Sequence, residues 1–263
     1  MASRKQKMEQ LVVRHNDLVQ KSQHELTEQQ QNILQYMVAE VGENDKPDTI
    51  YRFSIKEFAE TYNLNMDGGY YTRTIREDIL KIDEQRFFLI DEREPMNKKK
   101  WKRLRWLNVL RGNDENGVIE YNFHDDMRPY LFELKKHFNQ CKQKYLAALS
   151  GTYSRQLYAF LKSHAYQHKA IFVQIEHLRV LLGADETYPR YVDFKRHILD
   201  AAIAQINDIT DINVKYCVSK TGARGAILEL AFRVIPLDES VIFDDCWREN
   251  NKKVNEILGI EEE

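Results

Sequence analysis

The sequence predicts an α+β fold made of two successive modules with the same element order. Three observations carry this. Short segments of helical apolar spacing alternate with short alternating strands in each half. Each half closes on a pair of strands joined by a polar, glycine-bearing turn, Asn113 to Gly117 in the first and Thr221 to Gly225 in the second. And Ile55, Phe58 and Tyr71 recur as Ile175, Leu178 and Tyr191 at one constant offset, as an internal repeat requires.

In the first half, Thr27 with Gln30 three residues on reads as a capping box. Ile33, Leu34, Met37, Val38 and Val41 follow at helical spacing, giving a helix from Leu26 to Val41. Pro47 ends that region, and Thr49 to Phe53 alternates as a strand. Ser54 caps a second helix with Ile55, Phe58, Ala59 and Tyr62 inward. After the turn Asn63 to Gly69, a third helix runs from Tyr70 to Asp83 with Ile75, Ile79, Leu80 and Ile82 inward. Strands are predicted at Arg86 to Asp91, Lys102 to Leu110 and Val118 to Phe123. Proline is tolerated in a first helical turn, so Pro129 opens a long helix. Leu131, Leu134, Phe138, Cys141, Tyr145 and Leu149 form its stripe, and Ser150-Gly151 stops it.

The second half repeats the order. Helices are predicted at Ser154 to His168, Ile175 to Leu182 and Arg190 to Asn207, with strands at Ile171 to Val173, Ile212 to Ser219 and Ala226 to Ile235. Three helices followed by a hairpin make a winged helix, so the chain reads as two tandem winged-helix domains. The expected boundaries are an N-terminal arm at 1–24, a first winged-helix domain at 25–150, a second at 151–236, and an acidic tail at 237–263.

Composition bounds the function. The chain has 263 residues, 43% of them hydrophobic, enough for real cores. No stretch approaches the roughly 18–20 consecutive apolar residues of a membrane span. Met1 to Gln10 lacks the apolar core of a secretory signal. The three cysteines, Cys141, Cys217 and Cys246, are far apart, which argues for a reducing cytoplasm and against a disulfide framework. Net charge is −2, so any affinity for a polyanion must come from a local face.

That face is predicted on the third helix of the second domain. Phe194, Ile198, Leu199, Ala202 and Ile206 form its buried stripe, while Arg190, Asp193, Lys195, Arg196 and His197 fall off it, near the N-terminal end. Cations there oppose the helix dipole, a placement that makes sense opposite a polyanion. A helix in this position enters the major groove, where arginine reads guanine bidentately. Lys220 and Arg224 stand in the hairpin turn, where a wing meets phosphate. In the first domain Arg73 and Arg76 stand on the third helix. The run from Lys98, Lys99 and Lys100 to Arg105, interleaved with Trp101 and Trp106, is either a phosphate-contacting wing or a basic edge strand that blunts aggregation.

Catalytic patterns fail. None of the eight histidines has another two residues away, as a metal-dependent nickase needs. Gly112 to Gly117 continues with Val118-Ile119 and not with the Lys-Ser/Thr of a phosphate-binding loop. His164 and His168 lack a visible third ligand. No enzyme, cofactor or metal is expected.

Many short matches then point to one family. They are Leu11-Val12-Val13, Asn16-Asp17-Leu18 and Leu26-Thr27, Tyr153 to Tyr158, and Leu178-Arg179 with Leu182-Gly183. They continue through Tyr191, Asp193 to Arg196, Ile206-Asn207, Thr210-Asp211 and Lys220-Thr221-Gly222. From Leu11 to about Val234 the chain resembles the plasmid replication initiators that bind repeated origin sequences (iterons). The resemblance implies two winged helices on one double-stranded repeat, with the second making the dominant major-groove contacts. Tyr191, Lys195 and Arg196 fall in its strongest stretch, with Lys195 and Arg196 as the best readers and Arg190 and Lys220 in support. His197 stands where many relatives carry another basic residue. It further implies opening of adjacent DNA, recruitment of host initiator and helicase, and a homodimer in equilibrium with monomer that represses its own gene. The alternative is a winged-helix transcriptional repressor or protein-docking module with no part in replication.

Overall fold

A computed structural model describes residues 3–23, 26–64, 69–90, 101–113, 116–132, 134, 138–165, 169–237, 252–253 and 255–257, leaving out the side chains of Gln23, Tyr70, Ile90, Trp101 and Leu110. The chain opens with α1 (Arg4–Glu9), β1 (Leu11–His15), α2 (Asn16–Lys21) and β2 (Ser22–Gln23). The first module follows: α3 (Glu28–Ala39), β3 (Tyr51–Ser54), α4 (Ile55–Thr61), α5 (Tyr70–Glu84), β4 (Arg86–Ile90), β5 (Trp101–Arg105), β6 (Leu107–Asn113) and β7 (Val118–Phe123). Then come α6 (Arg128–Leu131), β8 (Phe138–Lys142), α7 (Gln143–Ala148) and α8 (Thr152–Ala165). The second module continues with β9 (Ile171–Gln174), α9 (Ile175–Leu182), α10 (Tyr191–Phe194), a π-helical turn at Lys195–Leu199, α11 (Asp200–Ile209), β10 (Ile212–Thr221) and β11 (Ile227–Pro236).

The internal repeat is visible in the sheets. The first module orders its strands β3-β7-β6 and the second β9-β11-β10. In both, the short strand after the first helix pairs antiparallel with the second strand of the hairpin. The predicted caps form as expected. Thr27 accepts from the Gln30 amide at 3.3 Å while the Gln30 side chain accepts from the Thr27 amide at 3.1 Å, and Ser54 accepts from the Glu57 amide at 3.3 Å.

Several expectations are corrected. The long helix from Pro129 to Ser150 is instead α6, β8 and α7. Residues 138–142 alternate exposed and buried, and β8 pairs with β1 in the register Val12↔Cys141. The helical spacing of Phe138, Cys141 and Tyr145 therefore also fits a strand followed by a helix. Residues 3–23 are no arm: Met8 and Val12 are buried, and α2 packs on α8 with Gln20 donating to Ser163 Oγ at 2.8 Å. The strand expected from Lys102 to Leu110 divides at Trp106, β5 joining β2-β4-β5 and β6 joining the wing sheet. Trp106 is 2% exposed and stacks on Phe87 at 4.2 Å, so it is core and not an aromatic set among surface charges. Leu80, expected inward, is 40% exposed.

The two modules share their interior. The buried apolar residues of both belong to one connected cluster, and α8 packs against β8 and α2 on one side and α11, α9 and β11 on the other. Arg155 of α8, 2% exposed, donates to the carbonyls of Leu149 (2.7 Å) and Glu28 (3.1 Å), to Asn32 Oδ1 (2.8 Å) and to Glu28 Oε1 (2.9 Å). A buried guanidinium is stable only when so fully partnered. From the same helix Tyr158, at 2.7 Å, and Lys162 hold Asp211, at the turn into the second wing.

Candidate nucleic-acid interface

In the second module, α9 ends at Gly183, whose φ of +66° is the left-handed conformation that favours glycine. The turn that follows is secured by Arg179. Its guanidinium donates to the carbonyls of Thr187 (3.2 Å), Tyr188 (2.9 Å) and Pro189 (3.4 Å) and lies over the Phe194 ring at 4.3 Å. By gathering three successive carbonyls of the turn, one arginine fixes the angle between α9 and the third helix. Tyr188, with a positive φ of 51°, stacks its ring on His197 at 4.9 Å.

The third helix is irregular where its basic residues stand. The Asp200 amide donates to the Lys195 carbonyl, closing a π turn, a form frequent at functional sites. This widened turn brings residues five apart together, and Lys195 Nζ sits 2.6 Å from Asp200 Oδ2. Tyr216 of β10 donates to the other oxygen of Asp200, and Lys195 lies 5.9 Å from the Tyr216 ring centre. The hydrogen bond to Asp200 raises the Lys195 pKa. Partial burial works against ionisation of Asp200, but the hydrogen bonds from Lys195 and Tyr216 outweigh it and hold the carboxyl below the usual range. Burial first, and then the bond to Asp200, push the Tyr216 phenol up.

A second fastening fixes the wing. Asn207 donates to the Val214 carbonyl at 2.9 Å and accepts from the Val214 amide at 2.6 Å, mimicking a strand partner for β10. At the wing tip, Lys220 and Arg224 are exposed, the latter at a positive φ of 57°, and the β10–β11 register shifts on either side of Lys220. Below them Glu229 accepts from Ser219 and Gln174, both at 2.7 Å.

The predicted contact residues divide by how they are held. Arg190 is paired with Asp193 at 2.7 Å and Lys195 with Asp200. Such exposed pairs contribute about 0–1 kcal/mol, so a phosphate can displace the carboxylates at small cost. Arg196 is exposed and, among the described residues, has no ion pair. His197 is exposed on its Tyr188 stack. Tyr191 is half-buried against the core with its hydroxyl turned in. In the first module, Arg73 lies 3.8 Å from Glu77, and Arg73 and Arg76 line a cleft of about 570 Å³ between α5 and the β6–β7 wing. Lys98, Lys99 and Lys100 lie outside the described residues. The part of their run that is described, β5, is the edge strand of β2-β4-β5 and no part of the wing. There Lys102 lies over the Tyr130 ring at 5.6 Å and Arg105 donates to the Asp83 carbonyl at 3.0 Å.

Sequence reasoning missed the residues that orient the predicted contact residues: Arg179, Asp200, Asn207 and Tyr216. Arg179 and Asn207 stand within the family-like matches, but only the tertiary contacts give them a role. Among the described residues no group of three or more His, Cys, Asp or Glu could hold a metal, and no helix is long and apolar enough to cross a membrane.

Comparison with known proteins accords with this geometry. The crystal structure of the Pi initiator protein in complex with iteron DNA is similar in fold, with a TM-score of 0.69 and 18% identity over 88% of this chain and 99% of that one. A replication initiation protein of Escherichia coli is 24% identical over 225 residues, 82% of this chain and 67% of that protein. A family model described as initiator replication protein, WH1, matches residues 11–162, taking in most of α8, and one described as initiator Rep protein, WH2, matches residues 174–234. With two winged helices in this order and both models matched in succession, the chain belongs to the initiator replication protein family.

Proposed function

We propose that this protein initiates plasmid replication by binding repeated double-stranded origin sequences, iterons, and that it works by binding and not by catalysis. The observation that carries the reading is the third helix of the second module. It presents Arg196, without an ion pair among the described residues, beside two cations held by exchangeable carboxylates; Arg179 fixes its angle to α9 and Asn207 fastens it to the wing. Preorganised donors on a rigid element are what base readout requires. The iteron DNA bound by the Pi protein, which shares the fold, supports the choice of ligand.

In this reading Arg196 and His197 face bases. Arg190, Lys195, Lys220 and Arg224 position the helix and wing on the backbone, Asp193 holds Arg190 until phosphate takes its place, and Tyr191 packs the helix in place. Arg73, Arg76 and the run Lys98 to Lys100 add contacts from the first domain (25–150), and residues 151–236 form the major DNA-binding domain. Bound monomers help open adjacent DNA and recruit host initiator and helicase in the cytoplasm, while dimers joined through the first domain repress the protein's own gene.

The test is an anisotropy titration of the full chain at fixed near-physiological salt, against a duplex repeat selected from a randomised pool and against its scrambled counterpart. A preference of about a thousandfold or more is expected. Equal, weak, salt-sensitive binding to both would sink the reading and favour a protein-docking module.

A further inference from the structure

One residue on the reading face is apolar. Val192 is 70% exposed, the most exposed of the large hydrophobic side chains described. A lone exposed valine on an arbitrary surface carries no message. This one stands in the first turn of the third helix, and the N-terminal residues of such a helix contact base edges. Arg196 follows it by four residues, one helical turn on, and the two are about 6 Å apart along the axis. Stacked base pairs are about 3.4 Å apart, so the two side chains reach edges within about two steps of each other.

Of the four bases, only thymine offers the major groove an apolar group, its C5 methyl. A β-branched side chain in a helix is held to essentially one rotamer, so Val192 presents its methyl groups without losing further freedom on binding. The charged neighbours satisfy one another: Asp193 is occupied by Arg190 and Lys195 by Asp200, while Val192 and Arg196, one helical turn apart, stand outside these pairs.

We propose that Val192 is a specificity-determining residue that packs on the C5 methyl of a thymine lying within two base pairs of the guanine read by Arg196. This deepens the origin-binding reading and rests on it.

The test replaces each thymine of the selected repeat, one at a time, with deoxyuridine, which removes only the methyl group. Binding of the full chain and of Val192→Ala is followed by anisotropy. At one or two thymines the wild type should lose about fourfold in affinity, what burying a single methyl group confers. Val192→Ala should bind the unmodified repeat more weakly by a similar factor and show no further loss at those positions. Because Val192 is exposed, its truncation leaves the fold intact, and unchanged affinity for the scrambled duplex confirms this. Three results would each overturn the inference while leaving repeat recognition standing: a wild type indifferent to every replacement, a Val192→Ala variant that keeps the same penalty, or a selected repeat with no thymine within two base pairs of a guanine. Failure of the wild type to select any repeat would remove both readings together.

Discussion

The two winged helices share a strand order and differ in how the third helix is held. In the second module the helix passes straight into its wing, α11 ending at Ile209 and β10 starting at Ile212. In the first, β4 and β5 intervene between α5 and β6 and build a separate sheet with β2 from the N-terminal segment. α5 is fastened from within: buried Asp78 accepts from Gln29 and Gln30, each at 2.9 Å, so the glutamine that completes the α3 cap also ties α3 to α5. Its outward arginine, Arg73, meets an acid one turn on. The third helix of the second module is fastened from outside, by the Lys195–Asp200–Tyr216 chain and by Asn207. The difference teaches that one topology can carry two kinds of surface. The second exposes a guanidinium, Arg196, that has no ion pair among the described residues, and an apolar side chain, Val192. The first offers an arginine that a neighbouring acid already balances, which suits a share in backbone contact more than readout.

The comparison can be broken at the element the modules share. Arg155→Ala should cost about 3 kcal/mol, because it leaves the carbonyls of Leu149 and Glu28 and the Asn32 amide oxygen without their buried donor. Urea denaturation should show the loss as a lower midpoint in a single transition for both modules. Separate transitions would mean that the modules are stable on their own.

A sharper cut is at the proposed readers. Arg196→Ala should cost about 1–3 kcal/mol against the selected repeat and leave scrambled binding much less affected. Arg73→Ala with Arg76→Ala should instead weaken both duplexes alike and lower the salt slope by about one for each phosphate no longer engaged. If the first-module pair abolishes discrimination and Arg196 does not, the assignment of roles between the modules is reversed.

Two smaller effects test the fastenings. Thr27→Ala removes the α3 cap and should cost about 1 kcal/mol in thermal or urea unfolding, with no change in the ratio of repeat to scrambled binding. Asp200→Asn keeps the shape but removes the charge that holds Lys195. Because the Asp200 pKa is lowered on folding, its stabilisation is present above the ordinary carboxylate range and fades as pH falls through the lowered value. The variant should lack that acid limb, an effect below about 1 kcal/mol because the pair is exposed. With Lys195 released, binding to both duplexes should tighten a few-fold and the salt slope steepen. An unchanged slope would show that Lys195 does not reach phosphate.

How much of the molecule is legible in its sequence follows from which interactions are local. The capping box at Thr27, the cap at Ser54, the bounds of α9 and β7 and the stripe of Phe194, Ile198 and Ala202 depend on neighbours within a turn or two, and the sequence pattern shows them. The segment 129–150 misleads because β8 owes its form to β1, more than a hundred residues earlier, and its apolar residues satisfy both periods. Trp106 reads as part of a basic surface because its partner Phe87 lies on another strand. For the site, the basic cluster from Arg190 to His197 is visible, as is the wing turn. The distinction between Lys195, paired, and Arg196, without an ion pair among the described residues, is not, because it depends on a π turn and on Tyr216 from the wing.

The helix α8 has a consequence for how the protein can change. It lends one wall to each module, so neither half owns a complete interior. A lineage that inherits this architecture cannot trade one winged helix for a foreign one by a simple crossover, since the newcomer would arrive with a surface unmatched to α8. On the proposed reading, new origin sequences are then learned by substitution on the outward face of the third helix, at positions such as Val192 and Arg196 where the fold asks for nothing in particular.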